Sequence, residues 1–170
     1  MTVPSLRIGI ISDSHDNIQA IKKAIEILNS EQVGYLLHAG DIVSPFSAKL
    51  FFGENFVTYF TFGNNDGEKV MLKDVISQSQ KCKLVWPKAT ISLNGFKIAL
   101  MHGEDEEVVE AVALSNRYDL VAYGHWHKVV NKVIGKCALV NPGELCGYLT
   151  GRRTLAITDL RKKETKIIEI

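Results

Sequence analysis

Seven residues whose side chains bind divalent metals recur along the chain: Asp13, His15, Asp41, Asn64, His102, His125 and His127. Each follows a short apolar run, at residues 6–11, 35–37, 57–62, 98–101 and 120–123, and runs of this length bounded by polar or glycine residues read as buried strands. In open α/β sheets ligands gather beyond the carboxyl ends of the strands, so residues at five strand ends can meet although the chain separates them widely. Asp13 and His15 stand two apart, as do His125 and His127. In extended chain such neighbours project to the same side, so each pair is expected to face one cavity. Four of the five histidines fall at these ends, while His38 reads as a strand residue with at most a supporting contact.

Seven groups are too many for one tetrahedral ion, and two ions fit better. Asp41 is the best bridge, because a carboxylate can share its oxygens between cations about 3.5–4 Å apart. A mixture of imidazole, carboxylate and amide suits Mn, Fe, Co, Ni or Zn better than Ca or Mg, and manganese is the first choice. Gly40, Gly63, Gly103 and Gly124 lie beside the candidate ligands, where a missing Cβ allows tight turns and close approach.

The elements that must position these residues are legible in outline. With 170 residues, 46% hydrophobic and 23% charged, the chain fits one globular domain over residues 1–170. Asp16 followed by Gln19 suggests a capped helix start, with Ile18, Ile21, Ile25 and Leu28 at helical spacing. Residues 104–116 begin with acids and place Val108, Val109, Val112 and Ala113 on one helix face. Asn94-Gly95 and Gly135 separate strand-like runs, and a final pair flanks residues 161–164, so the second half reads as hairpins. Early βα alternation followed by hairpins gives a mixed-sheet α/β domain.

Composition excludes several roles. A net charge of +1 supplies no bulk field for nucleic acid or an anionic membrane. Arg152 with Arg153, and Arg161 to Lys163, are the basic clusters, and without interleaved aromatics they read as solvated turns. No apolar run reaches bilayer length and no signal-peptide layout opens the chain, so a soluble, cytoplasmic protein is expected. Cys82, Cys137 and Cys146 lack a C-x-x-C pair and read as quiet core thiols in a reducing compartment.

Asp13-Ser14-His15, Gly40-Asp41, Gly63-Asn64-Asn65-Asp66, His102-Gly103 and Gly124-His125-Trp126-His127 follow, in order, the motifs of the calcineurin-like metallophosphoesterases. The short chain, the opening SDSHDN and the later Asn141-Pro142-Gly143 most resemble the small YfcE-type phosphodiesterases, which share their fold with Vps29. The resemblance implies a two-sheet β-sandwich flanked by helices in four αββα layers. It also implies Asp13, His15, Asp41 and His127 around one metal, with Asp41, Asn64, His102 and His125 around the other.

Two departures stand out. The family's third motif usually places a histidine where this chain has Asn65, and an amide can donate a hydrogen bond to a phosphoryl oxygen but cannot deliver a proton near neutral pH. Glu144 stands where relatives often have a small serine. The expected reaction is hydrolysis of small phosphodiesters by a hydroxide held between the two ions. Asn65 and Asp66 complete the catalytic set, Asp66 either orienting backbone and ligand or simply forming the turn. Asn17 reads as a helix-start residue, Trp126 as core or rim packing, and Pro45 and Phe46 as core with a share in the pocket wall. A Vps29-like interaction scaffold and a phosphomonoesterase are the alternatives, and a homo-oligomer is compatible with the sequence.

Overall fold

The computed structural model describes residues 6–87 and 90–170, so residues 1–5 and 88–89 of the expected domain lie outside the described residues. Strands and helices alternate through the first half: β1 (Arg7–Ile11), α1 (Ile18–Ser30), β2 (Tyr35–His38), α2 (Pro45–Lys49), β3 (Val57–Phe60), α3 (Lys69–Ile76) and β4 (Cys82–Leu84). The second half is richer in strands: β5 (Thr90–Leu93), β6 (Phe96–Leu100), α4 (Glu106–Leu114), β7 (Leu120–Ala122), β8 (Val129–Ile134), β9 (Cys137–Pro142), β10 (Thr154–Asp159) and β11 (Glu164–Glu169).

The strands build two mixed sheets, ordered β11-β10-β1-β2-β3-β4 and β5-β6-β7-β9-β8. β1 to β4 run parallel, with β10 antiparallel to β1. In the other sheet β6, β7 and β9 run parallel between antiparallel edges β5 and β8. Alternation along β1 shows how the sheets stack: Ile8 and Ile10 join Leu37, Ile98, Leu100 and Leu120 between the sheets, while Ile11 turns to the opposite face with α1, α2 and α3. Helix α4 covers the second sheet through Val109 and Ala113 against Ala99, Val121 and Tyr123. The layers are α, β, β, α, as the resemblance implies.

Local chemistry explains most element boundaries. Ala20, Ile21, Ala24, Ile25 and Leu28 form the buried stripe of α1. Its cap is Asn17, whose side chain accepts from Ala20 N at 3.1 Å, rather than the expected Asp16. Asp16 is drawn away to the start of α2, where its Oδ1 accepts from Ser44 N at 3.1 Å, Ser44 Oγ at 2.7 Å and Ser47 Oγ at 2.5 Å. Asp105 caps α4 by accepting from Glu107 N and Val108 N. The apolar face of α4 is narrower than expected, since Val108 is half exposed. Asn94 and Gly95 take φ of 49° and 87°, which closes the β5–β6 hairpin.

Three elements escaped the periodicity: α2, α3 and β4. Helix α2 and strand β4 are too short to show a period, and in α3 the exposed Val70 and Met71 blur the stripe of Leu72, Val75 and Ile76. Phe46 corrects the core expectation: α2 buries Pro45, Ser47 and Ala48 and turns Phe46 out to 77% exposure.

The carboxyl ends of β1, β2 and β3 in one sheet and of β6 and β7 in the other open on a common edge of the sandwich. Among the described residues no helix is long and apolar enough to cross a membrane. Docking of α1 on the sheet rests on Leu28, fully buried at the helix's last turn. Leu28→Ala is expected to cost about 2–5 kcal/mol of stability, read as a lower urea midpoint.

Candidate metal centre

The loop after β1 carries Asp13 and His15, that after β2 Asp41, that after β3 Asn64, Asn65 and Asp66, that after β6 His102, and that after β7 His125 and His127. The structure brings all seven candidate ligands to that common edge, by a different route from the one expected. Asp13, His15, Asp41, His125 and His127 have φ of 52°, 40°, 56°, 68° and 53°, so the pairs sit in left-handed turns rather than extended chain. Non-glycine residues occupy this region at a cost, which surrounding contacts must offset.

Their polar atoms form two groups that meet at Asp41. In one, Nε2 of His127 lies 3.4 Å from Oδ1 of Asp13, and Nε2 of His15 lies 4.0 Å from that oxygen and 3.4 Å from Oδ2 of Asp41. In the other, Nε2 of His102 is 3.5 Å from the same Oδ2 of Asp41 and 2.9 Å from Oδ1 of Asn64, which is also 2.9 Å from Nδ1 of His125. Nδ1 of His102 donates to the Ala39 carbonyl at 2.7 Å, so in the neutral ring the lone pair falls to Nε2.

These residues fit a cation. With metal–ligand bonds of about 2.1 Å, neighbouring donors on a tetrahedron or octahedron stand about 3.0–3.4 Å apart, close to the spacings found. Oδ1 of Asp13 is buried without a hydrogen-bond partner. A Cβ on Gly63 would strike Oδ1 of Asp41, and one on Gly124 would strike Oγ of Ser12, so both loops approach as closely as backbone allows. Asp13, His15 and His127, and separately Asp13, Asp41 and His102, present donor atoms close enough to share one ion.

The electrostatics agree. Burial by itself would lower His102, but the hydrogen bond and charge of Asp41 raise it to about 9. Burial likewise works to raise Asp41, yet His102 and the Asn65 amide hold it well below the usual carboxylate range. Asp13 is raised, chiefly by burial. Burial pushes His38 down to about 3; it packs between Phe51 and Phe60 with Nε2 3.0 Å from Ser14 Oγ, behind the site rather than in it.

Other polar side chains hold the loops. Asp66 is buried and accepts from Asp41 N at 3.1 Å, Val43 N at 2.7 Å and Gly63 N at 2.7 Å. It clamps the strained turn in which the β-branched Val43 reaches φ 80°. Asn65 donates from its backbone to Oδ1 and from its side chain to Oδ2 of Asp41, each at 2.8 Å. Asn141 donates to the Gly124 carbonyl at 2.8 Å and so ties down the loop carrying His125 and His127. Trp126 donates to the Gly103 carbonyl and, at 45% exposure, forms rim rather than core.

Sequence reasoning assigned no role to Glu144, which is buried with Oε2 2.8 Å from Nδ1 of His127. The available signal was a lone acid, the one Asp or Glu between Asp119 and Asp159, in a stretch whose other polar side chain from Leu139 to Cys146 is Asn141. Burial works against its charge, but hydrogen bonds from Thr150, His127 and Cys146 hold it down at about 2.

Residues 6–163 match the calcineurin-like phosphoesterase superfamily domain, and the chain belongs to that family. It is 40% identical over 163 residues to Phosphodiesterase MJ0936 of Methanocaldococcus jannaschii, covering 96% of this chain and 98% of that protein. It superposes on the structure of an archaeal phosphodiesterase with a TM-score of 0.89 at 39% identity, covering 96% of this chain and 99% of the other. Vps29 of Cryptosporidium parvum, at 18% identity, TM-score 0.68 and coverage of 98% and 97%, shares the fold. So does the E. coli phosphoesterase YfcE, at 15% identity, TM-score 0.63 and coverage of 96% and 99%.

Glu144 has a testable pH signature. Its folded value lies below the ordinary 4.5, so the stability it contributes is fully present above that pH and is lost as pH falls toward about 2. In metal-free protein the melting-temperature gap between the native chain and Glu144→Gln is expected to stay level above pH 4.5 and to narrow below it, as measured by thermal unfolding across that range.

Proposed function

We propose that the protein hydrolyses small phosphodiesters with two divalent cations that share Asp41. The observation that carries this reading is the position of Asp41: one carboxylate oxygen, Oδ2, faces Nε2 of His15 at 3.4 Å and Nε2 of His102 at 3.5 Å, one from each group of donors. Asp13, His15, Asp41 and His127 would hold one ion, and Asp41, Asn64, His102 and His125 the other. Cations held there would supply Lewis acidity, easing deprotonation of an attacking water and offsetting charge on the phosphoryl oxygens, with manganese the first candidate and Ni, Fe, Co and Zn the alternatives.

The chain's own residues divide the remaining work. Asp66 fixes the backbone on which Asp41 rides. Asn65, exposed at the rim, supplies an amide donor that holds Asp41 and is placed to hydrogen-bond a phosphoryl oxygen. It has no proton to give a leaving group, which favours esters whose alcohol departs without assistance. A cleft of about 350 Å³ opens beside His102, walled by Phe62, Trp86, Met101 and Val108, and suits a flat apolar ester group. Glu104 and Asp105 at its edge disfavour further negative charge there. Arg152 is engaged with Glu169 at 2.8 Å, which supports a small diester over a nucleic acid. Three free, buried cysteines fit the reducing cytoplasm.

With manganese present, an aryl phosphodiester is expected to be cleaved faster than the corresponding aryl monoester, and chelation to stop both reactions. Asp41→Ala should lower kcat/KM by about 10³-fold or more, because both cations lose a ligand. A strong monoester preference would overturn the substrate assignment. Absence of any phosphoester hydrolysis at saturating manganese would turn the reading to a scaffold. Asn65→His is expected to raise turnover of esters with alkyl leaving groups, by up to about 10²-fold, with less effect on aryl esters; comparing kcat across leaving groups of graded acidity checks this.

A further inference from the structure

Glu144 is a buried carboxylate without a lysine or arginine against it, a situation that is costly unless every lone pair is met. Here they are met. Oε1 accepts from Thr150 N at 2.5 Å, Thr150 Oγ1 at 2.6 Å and Leu149 N at 3.1 Å. Oε2 accepts from His127 Nδ1 at 2.8 Å, Tyr148 N at 3.0 Å, Cys146 Sγ at 3.1 Å and Leu149 N at 3.2 Å. A carboxylate has about four lone-pair sites, so these donors leave no room for a cation. His127, Glu144 and Cys146 lie close enough together to suggest a metal cluster, but the saturation of Glu144 argues that it is not a ligand.

Its consequence falls on His127. An ionised carboxylate only accepts, so Nδ1 of His127 must carry the hydrogen. In the neutral ring the lone pair then belongs to Nε2, which faces Oδ1 of Asp13, an oxygen without a hydrogen bond, at 3.4 Å. His102 is set in the same way by the Ala39 carbonyl, but a carboxylate partner in addition makes the imidazole a stronger donor toward a cation. We propose that Glu144 is the positioning residue of this centre: it fixes His127 as the Nδ1–H tautomer and aims its Nε2 lone pair at the site formed with Asp13 and His15. The bearing on metal affinity rests on the reading of that site as a cation site; the tautomer does not.

Glutamine at position 144 reverses the logic while nearly keeping the shape. The shortest donor that cannot turn away is Thr150 N, at 2.5 Å from Oε1 against 3.0 Å for Tyr148 N at Oε2, so the amide oxygen is drawn to the Oε1 side and the NH2 falls at Oε2, facing Nδ1 of His127. That ring nitrogen must then accept, the hydrogen moves to Nε2, and the lone pair on the Asp13 side is gone. Thr150→Val is the structural control, since it removes a donor to Oε1 and loosens the same loop without touching the His127 contact.

The test is a long-range 1H–15N spectrum of the histidine rings in the full, metal-free chain at mildly alkaline pH, paired with manganese titration. The native chain and Thr150→Val should show His127 as Nδ1–H, and Glu144→Gln as Nε2–H with a manganese Kd at this site about 10–100-fold weaker. Nε2–H in the native chain would overturn the proposal, whether or not the variant folds. So would a folded Glu144→Gln that keeps the native tautomer and affinity. A tautomer switch in a chain that takes up no manganese, Ni, Fe, Co or Zn would leave Glu144's role standing and remove the cation reading instead.

Discussion

Everything at the ligand edge depends on lone pairs and negative charge being forced together around Asp41. Its Oδ2 stands within 3.5 Å of two imidazole nitrogens from different sheets, and Asn64 Oδ1 lies 2.9 Å from one of these, Nε2 of His102, and from one further ring nitrogen, Nδ1 of His125. Left alone, such acceptors repel, and a protein that kept them for no reason would gain by replacing them. The sandwich instead commits five left-handed non-glycine residues and two crowded glycines to holding them there. Strain kept at that level marks a place where the surroundings over-determine the backbone. His102 is raised because the Asp41 carboxylate beside it favours the charged ring, so the local field favours positive charge.

The fold meets that requirement through strand direction. Parallel pairing in both sheets puts five carboxyl ends on one edge, and the inter-sheet core sets how near the two halves approach. Cross-links then tie the loops together: Asp13 N to the Gly40 carbonyl, His15 N to the Asp41 carbonyl, and Cys146 N to the Asp13 carbonyl. Vps29 of Cryptosporidium parvum shares the architecture, so topology alone assigns no role. What topology does not require is the gathering of seven polar side chains from both sheets at one edge.

Much of this was legible because hydrophobic runs and polar punctuation report strand ends directly. Residues 6–11, 35–37, 98–101 and 120–123 each mark a real strand to within two residues. The Asp13–His15 and His125–His127 spacings pointed to shared cavities, but by the wrong geometry: period-two projection belongs to extended chain, and these residues turn. Single-residue periodicity carries no information on a left-handed φ, which is imposed by tertiary contacts such as the Asp66 clamp. The capping misassignment at Asp16 has the same origin, since its preferred partners, Ser44 and Ser47, lie 28 and 31 positions away. Short elements such as β4, and helices with apolar residues on both faces such as α3, give no usable period.

What composition could not separate is the division of labour among the acids, and the structure separates them by a simple criterion. Asp66 and Glu144 turn both oxygens toward fixed N–H, O–H and S–H donors, so their charge is consumed in holding backbone and imidazole. Asp16 turns one oxygen, Oδ1, to the hydroxyls of Ser44 and Ser47. Asp13 differs: Oδ2 accepts from His125 N at 3.0 Å, while the buried Oδ1 makes no hydrogen bond and faces Nε2 of His127 at 3.4 Å and Nε2 of His15 at 4.0 Å. Asp13 thus keeps one buried oxygen without a hydrogen bond, whereas Asp66 and Glu144 spend both of theirs on the neighbouring loops, and the edge combines both kinds of acid. The satisfied acids hold the backbone and the His127 ring around the unsatisfied one, so the loops do not collapse onto it.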